Sequence, residues 1–286
     1  MKSNRYIAKL SKKGNKYRSV LSSNKISDGD MYDMQFSEEK SSDLWDEVSH
    51  NIVDLNAKAM QEIVNLIPED DIFQGAQDNI TQIESIIQEN LSQTAKTLFR
   101  TKRYLLGIKA EFSVVEKLVK KRALNILPIN MRNVIIGIVH LFSEIFIEKN
   151  ITIKIEDWFV KSLLDYETVQ VALYYLIGNA AKYIKDNTTL NISFKSTSNS
   201  TSAIMKMTSL FITPEDEKHI FTKERYSGEM ARTAKLHGKG IGMYRARKLI
   251  ELNNGNIYIT PGEPINNKDA ILYALNSFEI LLPMAK

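Results

Sequence analysis

The sequence predicts an α+β protein: an N-terminal helical hairpin that pairs into a dimeric four-helix bundle, followed by an α/β sandwich. Three observations predict it. Apolar residues recur at three- and four-residue steps through the N-terminal part, short runs of alternating apolar residues mark strands further on, and three glycines at alternate positions precede an amphipathic segment. The expected boundaries are 1–40 for a basic tail and polar linker, 41–125 for the hairpin and 126–286 for the sandwich.

The chain starts with Lys2, Arg5, Lys9, Lys12, Lys13, Lys16 and Arg18 and no acid among them. That pattern is a solvated tail, with an anionic partner or surface as the sharper alternative. From Asp43 to about Ile67, Leu44, Val48, Ile52, Leu55, Ala59, Ile63 and Leu66 make one apolar helix face. A turn at Pro68-Glu69-Asp70-Asp71 leads to a return helix carrying Ile80, Ile83, Ile87, Leu91, Thr94 and Leu98. Two such hairpins bury their stripes by pairing, so a homodimer is expected. His50 lies two residues from both Val48 and Ile52, about 200° round the helix, and faces water. Asp46 and Asp54 stand one turn either side, a setting that orients an imidazole and favours its protonated form. The alternative is an ordinary surface histidine in i,i+4 ion pairing.

In the C-terminal half, Ile151, Ile153 and Ile155 alternate as a strand, as do Ile257 with Ile259 and Phe278, Ile280 and Leu282. The polar stretch Ser196 to Ser202 reads as a loop between strands Leu190 to Phe194 and Ala203 to Met207. Asp165 opens a helix with Val169, Leu173 and Leu176 that runs into Gly178-Asn179-Ala180-Ala181-Lys182-Tyr183. Thr213-Pro214-Glu215-Asp216 has a capping threonine, a first-turn proline and nearby acids, the marks of a helix start. Tyr226 to Leu236 is polar and suits a lid over phosphates. His237-Gly238-Lys239-Gly240-Ile241-Gly242-Met243 then enters a helix ending before Asn253-Asn254-Gly255. Such glycines let backbone N–H groups approach an anion at the helix N-terminus. Met243 stands where a dinucleotide fingerprint needs glycine, and Gly238-Lys239-Gly240 lacks the Ser/Thr of a P-loop.

The order Asp165, Leu176-Ile177-Gly178-Asn179-Ala180-Ala181-Lys182-Tyr183, Ile220-Phe221 and Gly238-Lys239-Gly240-Ile241-Gly242-Met243 resembles the ATP-binding domain of sensor histidine kinases. That domain is the Bergerat-type sandwich shared with gyrase, MutL and the ninety-kilodalton heat-shock chaperone. The resemblance covers roughly residues 129 to 286. It implies ATP and Mg2+ as cofactors, with Asn179 on the metal, since an amide oxygen suits a hard cation. It further implies Lys182 against phosphate, Tyr183 against adenine, and Gly238, Lys239, Gly240 and Gly242 as the phosphate loop. Ser49-His50 resembles the phosphoacceptor segment, with Asp46 and Asp54 beside it, which implies a response-regulator receiver domain as partner.

Two departures stand out. The family's adenine-reading Asp-x-Gly-x-Gly, aligned from Ile212-Thr213-Pro214-Glu215, is replaced by Met207, Ser209 and Phe211. An adenine amino group without its acceptor loses about 1–3 kcal/mol, and the bulkier side chains can fill the pocket. The acid that normally follows the histidine is Asn51, and an amide cannot take the proton. Of the remaining histidines, His140 reads as a core or boundary residue, His219 lies on the short helix before Phe221, and His237 adjoins the glycine run.

With no cysteine, disulfides and thiolate metal sites are excluded. The 38 basic and 34 acidic residues are too evenly matched for a nucleic-acid binder, and no apolar run approaches a membrane span or secretory leader. A cytoplasmic protein without the family's membrane sensor is expected. Three functions follow: a histidine-kinase-like phosphorelay protein with weakened autokinase activity, a pseudokinase or phosphotransferase scaffold, or a hydrolase of the gyrase kind. The last is disfavoured because Tyr175 stands where those enzymes carry their water-activating glutamate.

Overall fold

The computed structural model describes residues 28–67, 76–265 and 270–286. The basic tail and the Pro68 to Asp71 turn lie outside the described residues. By contacts the chain falls into two units, Met1–Ser49 and His50–Lys286. Helix α1 (Asp28–Leu66) begins earlier than the apolar periodicity suggests, and its first part constitutes what is described of the first unit.

The second unit opens with the rest of α1. The return run is interrupted at Asn90 into α2 (Ala76–Glu89) and α3 (Leu91–Val114), and α3 ends in a π-helical turn at Val115–Val119. Arg100 of α3 binds Glu62 of α1, while Gly107 packs on Leu55, so the pairing advances on one helix as it recedes on the other. The two helices therefore run antiparallel.

The sandwich has one sheet and one helix layer. Its strands are β1 (Ile126–Ile129), β2 (Thr152–Ile155), β3 (Ser162–Asp165), β4 (Thr189–Ser196), β5 (Ser200–Leu210), β6 (Asn256–Thr260), β7 (Pro264–Ile265) and β8 (Tyr273–Pro283). The main sheet has the order β2-β4-β5-β8-β6, with β7 also on β8, while β1 and β3 make a separate antiparallel ribbon. Only the β2–β4 pair is parallel. The chain between β4 and β5 is only residues 197–199, because the polar run Ser200 to Ser202 pairs with Leu281 to Pro283 instead of looping out.

Burial alternates along β4 and along β8, so one sheet face meets the helices. Those helices are α4 (Met131–Leu141), α5 (Ser143–Glu148), α6 (Tyr166–Tyr183), α7 (Pro214–His219), α8 (Glu229–Thr233) and α9 (Gly242–Leu252). The core combines Met131, Ile135, Ile138, Leu173, Ile177 and Leu249 with Leu190, Ile192 and Met205. His140 is exposed, contrary to the sequence expectation. Met131, Val134, Ile135, Ile138 and Val139 form the inward face of α4, and the same periodicity turns Asn133, Gly137 and His140 outward.

Two polar devices fix α6. Asp165 is its N-cap, accepting from Thr168 N–H at 2.8 Å, and also accepts from Asn125 N–H at 2.8 Å. Burial pushes the Asp165 carboxyl up, but these bonds, the Thr168 hydroxyl and Lys117 outweigh it and hold it below the usual value. Asn253, after α9, accepts from Asp165 N–H and donates to Thr168 Oγ1 and Leu249 C=O. A Cβ on Gly255 would meet the Leu281 carbonyl at 2.4 Å, so this return to β6 requires glycine.

Candidate functional site

Helix α6, the end of β5, the Asp216 to Ala231 segment and the glycine run enclose a cavity of about 360 Å³, closed on one side by Asn51, Asp54 and Leu55 of α1 and Glu111 of α3. Asn179, Lys182, Tyr183, Gly238, Lys239, Gly240 and Gly242 all contribute to its wall.

One part of the wall is cationic and rich in N–H groups. Gly240 has φ +72°, and a Cβ there would meet the Tyr226 carbonyl oxygen at 2.5 Å. Helix α9 starts at Gly242, with Ile241 at the N-cap and no side-chain cap. Its leading N–H groups thus have no capping side chain, and the helix dipole favours an anion there. Beside them lies Lys182, whose ammonium would be 3.4 Å from a Cβ on Gly238 and sits 5.3 Å from the Tyr183 ring centroid. Half-burial pushes the Lys182 pKa down, and no carboxylate pairs with it among the described residues. A partly desolvated cation beside Gly238, in the same cavity wall as the uncapped start of α9, is an arrangement that suits an anion. Asn179, one turn earlier on α6, presents its amide to the same cavity.

Another part of the wall is apolar. Met207 is 4 % exposed and Phe211 half-buried, yet the cavity between them is open, so they line it without filling it. Ser209 receives a bond from Asn276 Nδ2 at 2.9 Å. Thr213 and Asp216 form the expected capping box on α7. Asp216 is a hub that local sequence did not reveal: its carboxylate accepts from Tyr226 Oη at 2.7 Å, from Glu229 N–H and from Thr213 N–H. Burial first, and then this bond, raises the Tyr226 hydroxyl to about 12. The supposed loop Tyr226 to Leu236 is therefore pinned and contains α8, with Met230 and Ala231 buried.

The hairpin side carries its own polar contacts. His50 and Asp46 are exposed, and His50 is not in the cavity wall. Asp54 pairs with Lys58 at 2.7 Å, and that bond first, with the charges of Lys58, Lys239 and His50, holds its carboxyl below the usual value. Asn51, next to His50, is buried and accepts from the Lys239 ammonium of the glycine run. Glu111 forms a buried ion pair with Arg245 at 2.9 Å, tying α3 to α9. Burial raises the Tyr175 hydroxyl above its ordinary value, so it is no substitute for a glutamate base. His219 bonds Glu215 at 2.7 Å, and His237 is exposed. Among the described residues no cluster of His, Cys, Asp and Glu could hold a metal ion, and no helix is long and apolar enough to cross a membrane.

No protein-family model matches the sequence, and no curated protein matches it. Among solved structures, the chain is similar to a mycobacterial sensor histidine kinase, MprB, at 14 % identity, covering 55 % of this chain and 98 % of that one, with a TM-score of 0.45. It is similar to full-length ShkA in complex with AMPPNP at 16 % identity, covering 86 % and 46 %, with a TM-score of 0.49. It is also similar to histidine kinase ThkA in complex with the response regulator protein TrrA at 15 % identity, covering 92 % and 68 %, with a TM-score of 0.48. The architecture built from the residues has helices leading into a mixed sandwich, with Asn179, Lys182 and the glycine run about one cavity.

Proposed function

We propose that the protein is a histidine-kinase-like phosphorelay protein that takes Mg-ATP in the sandwich cavity, phosphorylates His50 and passes the phosphoryl group to a receiver-domain aspartate, with weakened autokinase activity. The observation that carries this reading is the half-buried Lys182, with no carboxylate partner among the described residues, beside Gly238 and the uncapped start of α9. Lys182 and the α9 N–H groups would hold the phosphates, Asn179 would face Mg2+, and Tyr183 would flank the base. ATP would supply the phosphoryl group. Asn51 orients Lys239 but cannot take the His50 proton, so the step lacks the general base that ordinarily contributes about 10²–10⁴-fold.

A homodimer fits the helical part. Leu91, Leu98, Leu105 and Phe112 recur every seven residues on α3 and are all exposed, as are Val53 and Met60 on α1. A second copy presenting the same stripes would cover them, giving the four-helix bundle. Exposed His50 would remain open to a receiver domain.

The second reading, a pseudokinase or phosphotransferase scaffold, is favoured by the same Asn51, which stands in the acid's place and is already engaged by Lys239. Incubation of the full chain with Mg-ATP labelled at the terminal phosphate decides between them. Slow labelling that vanishes in His50→Ala supports the kinase reading. Absence of label in the wild type, together with acceptance by His50 of a phosphoryl group from a phosphorylated receiver, supports the second.

A further inference from the structure

We infer that the cavity does not discriminate the 6-substituent of a purine: nucleoside triphosphates bearing a 6-amino or a 6-oxo group bind with similar affinity. This rests on the nucleotide reading above and specifies its substrate class.

Selecting for an exocyclic amino group needs an acceptor at the base end that has capacity left. Three carboxylates line the cavity among the described residues, and each is engaged. Asp54 is held by Lys58, and Glu111 by Arg245. Asp216, the one nearest in sequence to the base-end segment, is 2 % exposed and receives Thr213 N–H, Tyr226 Oη and Glu229 N–H. The Ser209 oxygen accepts from Asn276 Nδ2 and keeps one lone pair and its hydroxyl hydrogen, while the Phe211 N–H is taken by the Leu272 carbonyl. At the reading position itself stands Met207, whose thioether is only a weak acceptor and no donor.

The cost to the two ligands is therefore symmetrical. Either group would lose water and meet the same Ser209 hydroxyl, which can turn to accept from a 6-amino group or to donate to a 6-oxo group. Sites that hydrogen-bond a distinguishing group with a one-way partner reject the analogue lacking it by about 10⁴-fold or more, whereas a hydroxyl serves both substituents. Affinity comes instead from the cationic part of the wall, where Lys182 and the α9 N-terminus face the phosphates common to both ligands. Met207 and Phe211 offer an apolar and an aromatic surface on which either base can stack.

Calorimetric titration of the full chain with Mg-ATP and with magnesium inosine triphosphate tests this. Dissociation constants within about fivefold of each other support the inference, and a preference beyond about fivefold for either ligand overturns it. Binding of neither at millimolar concentration removes the nucleotide reading beneath it, an outcome distinct from a preference. Met207→Asp restores an acceptor and is expected to shift the ratio at least about tenfold towards ATP. Should that buried carboxylate prevent folding, as circular dichroism would reveal, the wild-type ratio still decides.

Discussion

Two parts of the cavity wall differ in kind. Around Gly238 to Gly242 every requirement of an anion site is met by backbone and one lysine: glycine where φ is +72°, a helix start with no capping side chain, and a half-buried ammonium without a carboxylate partner among the described residues. Around Met207 to Phe211 the side chains that would name a base are apolar, while the one nearby carboxylate, Asp216, serves architecture. The difference teaches which features of such a pocket a scaffold enforces. Backbone geometry at the anion end is tied to the turn that joins Tyr226 to Gly240, so it survives with the fold. A reading side chain at the end of β5 is tied to nothing but its ligand.

Predictions that break this contrast are ordered by size. Asp216→Ala removes the acceptor of Tyr226 and of the α8 N-terminus, and is expected to cost about 2–3 kcal/mol of stability, measured by thermal denaturation. Retention of wild-type stability would show that Asp216 is available to a ligand after all. Gly240→Ala places a Cβ 2.5 Å from the Tyr226 carbonyl oxygen at positive φ. It is expected to cost about 1–3 kcal/mol and to weaken Mg-nucleotide affinity by more than about tenfold in titration, whereas Phe211→Ala changes that affinity less.

Asp165 gives a control remote from the pocket. Its folded carboxyl is depressed, so its contribution is present above the ordinary carboxylate value and lost as pH falls through its lowered folded value. Asp165→Asn is expected to cost about 1 kcal/mol at neutral pH and to flatten the acid limb of the stability curve, with nucleotide specificity unchanged. Lys182 titrates in the other sense. Its lowered value means that affinity for a phosphate ligand falls on the alkaline side at a pH below the ordinary lysine range, and a flat profile there would argue against its role.

Local patterns were legible in the sequence because their causes are local. Asp165 caps α6, Thr213 and Asp216 make their capping box, and Ile257 and Ile259 alternate along a strand, all within a few residues of chain. Asn179, Lys182 and the glycines, grouped by their order in the sequence, line one cavity. What escaped was set by distant partners. Glu111 meets Arg245 134 residues later, Asn253 locks onto Asp165 and Thr168, and Asn51 meets Lys239 across 188 residues. His140 was read as a core or boundary residue, whereas the spacing of its segment leaves Asn133, Gly137 and His140 on an outward face. Likewise the Lys58 partner of Asp54, one turn further along α1, was not read from the sequence.

The most direct measurement is calorimetric titration of the full chain and of Lys182→Ala with Mg-ATP at neutral pH. The expected result is measurable wild-type binding, weaker by about tenfold to a hundredfold than an adenine-reading pocket would give, and its loss in the variant, whose melting temperature stays close to the wild type. Equal binding by the two proteins, or none by the wild type at millimolar nucleotide, would contradict the assignment of Lys182 and the glycine run to phosphate.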